Sequence, residues 1–277
     1  MKKIISISSL LLLFCFSLQG QTSITIIHTN DIHSQIEPAT SGSLNGKGGA
    51  TRRASAIAQQ RAEDPQLLLF DAGDYVQGTP YYNIFQGEAE INLMNAMRYD
   101  VACLGNHEFD NGQAHLLKML SNATFTVVCA NYDFENSPLK NVIKPYTIVT
   151  RKGVKIGIIG LLVNLDDMVS YESRKGIIYL DPVSKANELA EKLKREDRCD
   201  MVICLSHLGY DDAGKPNSPT DIFVAENSRN IDLIIGGHSH SFLEKPDVRT
   251  NLEGKPVYIY QMGKGGAYIG KITIDLE

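Results

Sequence analysis

The 277-residue chain has no tryptophan, few cysteines and no run of like charge, and each shortage removes a class of protein. Five cysteines, none in a CxxC pair, exclude a disulfide knot and give no sign of a cysteine-based zinc module. Lysine and arginine number 27 against 32 aspartates and glutamates, and the net charge of −5 argues against binding nucleic acid by general phosphate attraction. No GxSxG is present, no GxGxxG follows a strand, and His107-Glu108-Phe109-Asp110-Asn111 is not HExxH. The Gly-rich stretch from Gly42 to Gly49 lacks the GK[ST] ending of a phosphate loop and reads as a surface loop. With 43% hydrophobic and 21% charged residues, the composition is that of a globular protein, and one domain is the economical reading.

The N-terminus has the layout of an export leader. Lys2 and Lys3 precede an apolar run from Ile4 to Leu18, shorter than the ~20 residues that span a bilayer. Cleavage is expected after Gly20, giving a leader over 1–20, a domain over 21–277 and a periplasmic or secreted product without a membrane anchor. Phe14 stands where a small residue is usual before a lipidated cysteine, which argues against anchoring through Cys15. Cys103, Cys129, Cys199 and Cys204 are expected as small buried hydrophobes, although export permits a disulfide and the spacing does not choose.

Short apolar runs rich in Ile, Val and Leu recur and stop abruptly at polar clusters. Ile24–Ile27 leads to Asn30-Asp31-Ile32-His33, Leu67–Phe70 to Asp71-Ala72-Gly73-Asp74, and Val101–Leu104 to Gly105-Asn106-His107-Glu108. Met201–Leu205 leads to Ser206-His207, and Leu233–Ile235 to Gly236-Gly237-His238-Ser239-His240. Helical patterns fall between them, over Ala50–Ala62, Glu88–Met97, Gly112–Leu120, from Asp181-Pro182 onward, and from Ser218-Pro219 to about Asn227. Alternating strands and helices predict an α/β fold with buried sheets. A restart at Val154–Gly160 makes two sheets plausible, and Val257 to Leu276 reads as a hairpin turning at Gly263-Lys264-Gly265-Gly266.

Five of the seven histidines, His33, His107, His207, His238 and His240, sit in these strand-end clusters with Asp31, Asp74 and Asn106. One such histidine would mean little. Together they gather imidazole and carboxylate donors where α/β proteins build their sites. The set suits divalent zinc, iron or manganese and exceeds the four ligands of one closed structural site, so it fits two ions sharing a carboxylate. Two ions ~4 Å apart can clamp the attacking and leaving oxygens of a displacement at phosphorus. His28 is assigned to packing, His115 to a solvated helix face, and Glu108 to a place beside the ligands rather than among them.

In order, Asn30-Asp31-x-His33, Gly73-Asp74, Gly105-Asn106-His107-Glu108, Ser206-His207 and Gly236-Gly237-His238-Ser239-His240 resemble the motif set of the calcineurin-like metallophosphoesterases. His28-Thr29-Asn30-Asp31-Ile32-His33 and Gly105-Asn106-His107-Glu108-Phe109-Asp110 look like its 5′-nucleotidase and 2′,3′-cyclic phosphodiesterase branch. The resemblance implies a four-layer αββα sandwich with a dinuclear site at the strands' C-terminal ends. It implies one divalent metal ion (Zn, Mn, Fe, Co, Mg or Ca) on Asp31, His33, Asp74 and His240. A second would lie on Asp74, Asn106, His207 and His238, with Asp74 shared. It further implies attack on phosphorus by a metal-bridging hydroxide, and a His107–Asp110 pair that stabilises phosphoryl oxygens or protonates the leaving group.

The substrate that the resemblance implies is a small phosphoester, a nucleotide above all, and not a nucleic-acid duplex. Many relatives in this branch carry a C-terminal domain that holds the nucleoside, and the resemblance implies that their catalytic domain would end about where this sequence does. A separate substrate-binding chain, a 2′,3′-cyclic phosphodiesterase or a sugar-nucleotide hydrolase therefore stand as alternatives. Tyr75, Tyr81, Tyr82 and Tyr171 are candidates to stack on a base.

Overall fold

The protein is described here by a computed structural model covering residues 22–211 and 219–276. The expected leader over 1–20 and the proposed cap Ser218 lie outside the described residues. In chain order the elements are β1 (Thr22–Thr29), α1 (Ala50–Glu63), β2 (Leu68–Asp71), α2 (Pro80–Phe85), α3 (Glu88–Met97), β3 (Val101–Cys103) and α4 (Gly112–Leu120). There follow β4 (Thr126–Val128), β5 (Tyr132–Asp133), β6 (Ile143–Lys144), β7 (Tyr146–Arg151), β8 (Val154–Leu162), α5 (Tyr171–Arg174) and β9 (Ile178–Tyr179). The rest are α6 (Pro182–Arg195), β10 (Met201–His207), α7 (Asp221–Glu226), β11 (Leu233–Gly236), β12 (Asp247–Thr250), β13 (Pro256–Tyr260) and β14 (Gly270–Leu276).

Two six-stranded sheets form, in the orders β14-β1-β2-β3-β4-β6 and β12-β13-β11-β10-β8-β7. Alternation along each strand explains why they stack. Ile24 and Ile26 of β1 pack between the sheets with Ile203 and Leu205 of β10, while Ile27 faces the helices α1, α3 and α4. On the far side Val202 and Cys204 of β10 meet Ala186, Leu189, Ala190 and Leu193 of α6. Both faces of the central strands are thus buried, so they read as unbroken apolar runs rather than alternating ones. The result is the expected αββα sandwich. Truncating one of these isoleucines to alanine costs about 2–5 kcal/mol.

Local sequence sets the helix ends. The Asp181 side chain accepts from the Ser184 N–H, Pro182 occupies the first turn, and Lys192, Lys194 and Arg195 close the last. Helix α7 is capped by Thr220, whose side chain accepts from the Phe223 N–H. Cys103, Cys129, Cys199 and Cys204 are buried and form no disulfide. His28 is fully buried against Gly270, and burial lowers its pKa to about 3, so it packs as a neutral ring. His115 is half-buried, edge-on to Tyr82.

The expected hairpin at the C-terminus does not form. β13 pairs parallel with β11 in the second sheet, whereas β14 crosses to the first and runs antiparallel to β1. The crossing is pinned by the Gly263–Gly266 turn, where Gly265 N–H donates to Asp31 O and Gly263 O accepts from Asn30 Nδ2. Among the described residues no helix is long and apolar enough to cross a membrane.

Candidate metal centre

The strand-end clusters meet at one edge of the sandwich. Strands β1 and β2 end side by side, and their loops continue as a ladder: Asp31 N–H donates to Gly73 O, His33 N–H to Asp74 O, and Ser34 N–H to Tyr75 O. The ladder forces Asp31, His33, Ser34 and Asp74 into left-handed backbone, with φ of 49°, 49°, 53° and 56°. Each such residue costs about 1–2 kcal/mol. Strain of this kind collects where side chains must be aimed.

Three groups of side chains there could hold a cation, with one donor atom from each member within 4.8 Å of the others. They are Asp31–His33–His240, His33–Asp74–His107 and Asp74–His207–His238. His33 Nε2 lies 2.9 Å from His240 Nε2, and His240 Nε2 lies 3.5 Å from Asp31 Oδ1. Asp74 Oδ2 stands between the groups, 3.1 Å from His207 Nε2 and 3.9 Å from His33 Nε2. Asn106 joins through Oδ1, 3.0 Å from His238 Nδ1. Every expected ligand is therefore in one place.

The donor chemistry fits divalent ions. His207 Nδ1–H donates to Ala72 O at 2.7 Å, which orients the ring with Nε2 facing Asp74. There Asp74 outweighs burial and raises the His207 pKa to about 10, a positive charge that a divalent ion would replace. That buried Nε2 has no aligned hydrogen-bond partner among the described residues, although it is close to Asp74. Burial lowers the pKa of His33 and takes His240 down to about 4, leaving neutral imidazoles, the form that binds metal. Burial likewise pushes the Asp31 carboxyl up to about 7, whereas the facing His207 outweighs burial at Asp74 and holds it well below the usual carboxylate range. Buried carboxylates facing imidazoles in this way call for positive charge between them.

His107 belongs to the second of the three groups but also has a carboxylate partner of its own. Its Nδ1 lies 2.8 Å from Asp110 Oδ2, and that contact raises its pKa. The ring packs edge-on to His33 with centroids 5.3 Å apart. Glu108 turns away from the open centre, and its carboxylate accepts from the N–H groups of Asp74, Tyr75, Val76 and Gly105. It ties the two loops together, as its expected place beside the ligands requires. Gly105 is obligatory, since a Cβ there would fall 2.1 Å from Asp74 Oδ1.

Sequence reading missed two supports. Asp71, fully buried, accepts from Thr29 Oγ1 at 2.6 Å and from Gly73 N–H at 2.9 Å, fixing the turn before Asp74. Its position at a strand end was the available signal. Asn30 holds Asp31 Oδ2 at 2.7 Å while its Oδ1 accepts from the Met262 N–H. Of the stacking candidates, Tyr75 and Tyr82 are buried in the core and cannot meet a ligand, while Tyr81 rests on Phe85 and Tyr171 is exposed. An unforeseen aromatic pair lies two residues beyond His240: exposed Phe242 packs on Tyr268 with centroids 4.4 Å apart, and Lys47 sits over Tyr268.

Comparison with known proteins agrees with this geometry. Residues 24–242 match the calcineurin-like phosphoesterase family. The chain is 32% identical to the snake venom 5′-nucleotidase of Crotalus adamanteus over 95% of its own length and 47% of the relative's. It is 30% identical to the human 5′-nucleotidase, covering 93% of itself and 47% of that protein. The crystal structure of a 5′-nucleotidase precursor from Thermus thermophilus superposes with a TM-score of 0.84 at 33% identity, over 92% of this chain and 52% of that one. The chain thus spans about half the length of the curated relatives it matches. By motif order, fold and family match, the chain belongs to the calcineurin-like phosphoesterases.

Proposed function

We propose that the chain is a metal-dependent phosphoester hydrolase of the 5′-nucleotidase type that releases phosphate from nucleotides. One observation carries the reading: donors from five strand ends converge in three overlapping groups, two of which share Asp74. In this proposal Asp31, His33, Asp74 and His240 hold one divalent cation, and Asp74, Asn106, His207 and His238 hold the other. Two such ions would supply charge to polarise the phosphoryl oxygens and would make a bound water acidic enough to attack near neutral pH. The protein's own groups do the rest. Glu108 and Asp71 hold the loops rigid, and the Asp110 contact orients His107 and favours its protonated form. His107 then stabilises a charged phosphoryl oxygen or hands its proton to the departing ester oxygen.

The nucleotide reading draws support from the 5′-nucleotidase relatives and from the Phe242–Tyr268 face beside Lys47, where a base could stack while the cation meets negative charge. Residues 21–277 would form the catalytic domain, and residues 1–20 an export leader removed in the periplasmic or secreted product. N-terminal sequencing of the protein from the extracellular or periplasmic fraction tests the leader, with an intact Met1 counting against it.

The decisive assay is phosphate release from AMP, p-nitrophenyl phosphate and bis-p-nitrophenyl phosphate. Each is run after chelation and again with manganese, zinc, cobalt, magnesium or calcium restored. Metal-dependent release from AMP is the expected result. Preference for the diester moves the activity to a phosphodiesterase, and silence with every metal sinks the reading of this chain as a self-sufficient hydrolase.

A further inference from the structure

Behind the centre, between α1, α3 and the ladder of loops, lies a small cavity lined by Ser34, Arg53, Tyr75 and Glu90 among apolar neighbours. Its polar walls are unusual. Arg53, Glu90, Tyr75 and Ser34 are 6%, 4%, 1% and 0% exposed. Among the described residues, no hydrogen-bond partner exists for Arg53 Nε and Nη1, either Glu90 carboxylate oxygen, Tyr75 Oη or Ser34 Oγ. A guanidinium and a carboxylate are thus buried at one cavity without touching. Groups of this kind are almost always satisfied in folded proteins, by water where protein cannot reach. The cavity has room for about one water molecule.

We propose that an ordered water in this cavity bridges Arg53 to Glu90, and that the bridge positions the two loops carrying Asp31, His33 and Asp74. One water can serve four of the six unpartnered atoms. Arg53 and the Tyr75 or Ser34 hydroxyl donate to the water oxygen, and the water donates to the Glu90 carboxylate oxygens. The placement suits it as well. Ser34 follows His33, Tyr75 follows Asp74, and Ile32, which also lines the cavity, separates Asp31 from His33. Arg53 also presses against Gly266, in the turn that bonds Asp31 through Gly265. The left-handed backbone at Asp31, His33, Ser34 and Asp74 needs such backing to persist. Arg53 and Glu90 are therefore positioning residues: they touch no substrate and act on the ligands through the loops.

The inference rests on the proposed ligand roles of Asp31, His33 and Asp74, so its test separates the two. A high-resolution crystal structure of the full chain is expected to show a water within hydrogen-bonding distance of Arg53 and Glu90, and a dry cavity overturns the bridge. Manganese titration by calorimetry reads the positioning role. Glu90→Ala is expected to weaken manganese about 10–100-fold, the scale of losing an outer support of a metal ligand. Glu90→Gln, which keeps an acceptor for the water, recovers most of that loss. Because Glu90→Ala strands a buried cation and could fail to fold, Arg53→Met/Glu90→Leu is measured beside it. It is expected to keep its thermal midpoint within a few degrees of wild type while still binding manganese at least tenfold more weakly. Wild-type affinity in that double variant reduces the pair to a packing role and overturns the proposal. A wild-type chain that binds no manganese or other divalent ion sinks the ligand assignment and the positioning role with it, while the water in the crystal still reports on the bridge.

Discussion

On one side of the centre Asp31, Asp74 and His207 are sealed, with side chains 0–3% exposed: the two aspartates accept from loop N–H groups, and His207 donates to the Ala72 carbonyl. On the other side His33, His107 and His240 keep 17%, 31% and 34% of their side chains open to solvent. The sealed wall is built from short loops laddered together and stapled by Glu108, so its donors cannot reorganise when an ion arrives. Rigid donors lower the cost of binding. The open wall has fewer supports and faces the space a phosphoester must enter. In the proposed mechanism the sealed wall only holds metal, whereas the open wall holds metal through His33 and His240 and meets substrate through His107, and that division can be attacked from either side.

The largest effect is expected from Asp74→Ala on the sealed wall. Both ions should be lost and AMP turnover should fall at least about 10⁴-fold, the scale of dismantling a catalytic unit. Metal analysis after dialysis decides it, and two ions retained per chain would contradict the sharing of Asp74. His107→Ala on the open wall should keep both ions yet lower kcat about 10³-fold. If that variant loses metal, the two walls do not divide the labour as argued. Glu108→Gln sharpens the comparison, because an amide replaces one of two acceptor oxygens with a donor facing N–H groups. It should cost about 3 kcal/mol in urea unfolding and weaken metal binding about tenfold or more. Unchanged stability would mean the staple is idle. The smallest change is expected at Phe242→Ala, outside both walls. It should raise KM about tenfold for AMP, the scale of one lost stacking contact, and leave ribose 5-phosphate unaffected. An equal change for both esters removes Phe242 from substrate recognition.

Much of this was legible in the sequence because it is local. A buried strand that ends in Asp31-x-His33 or Asn106-His107 puts its polar residues at a sheet edge whatever the rest of the chain does. The helix over Glu88–Met97 follows from spacing alone, and its observed bounds coincide with the expected ones. What escaped depends on partners distant in the chain. The stretch after Tyr260 looks like a hairpin because its turn is glycine-rich, yet β14 finds its partner in β1, at the other end of the chain. Tyr75 looks like a loop residue free to stack, but the ladder with Ser34 turns it into the core. Arg53 and Glu90 carry no signal of their own in the sequence, and only the packing of α1 on α3 places them at the same cavity.

The pairing of β1 with β14 has a mechanical consequence. Thr22 lies opposite Leu276 and His28 opposite Gly270, so the first and last described strands begin and finish at the same edge of the molecule. That edge is the one remote from the centre, about 25 Å along the strand from Asp31. A force applied through both ends would not shear the sheet, where many hydrogen bonds resist at once. It would peel β14 away one residue pair at a time, starting from Thr22 and Leu276, and would reach the turn against Asp31 last. Stretched from its ends, the molecule should yield at low force at its border while its metal-holding loops stay intact.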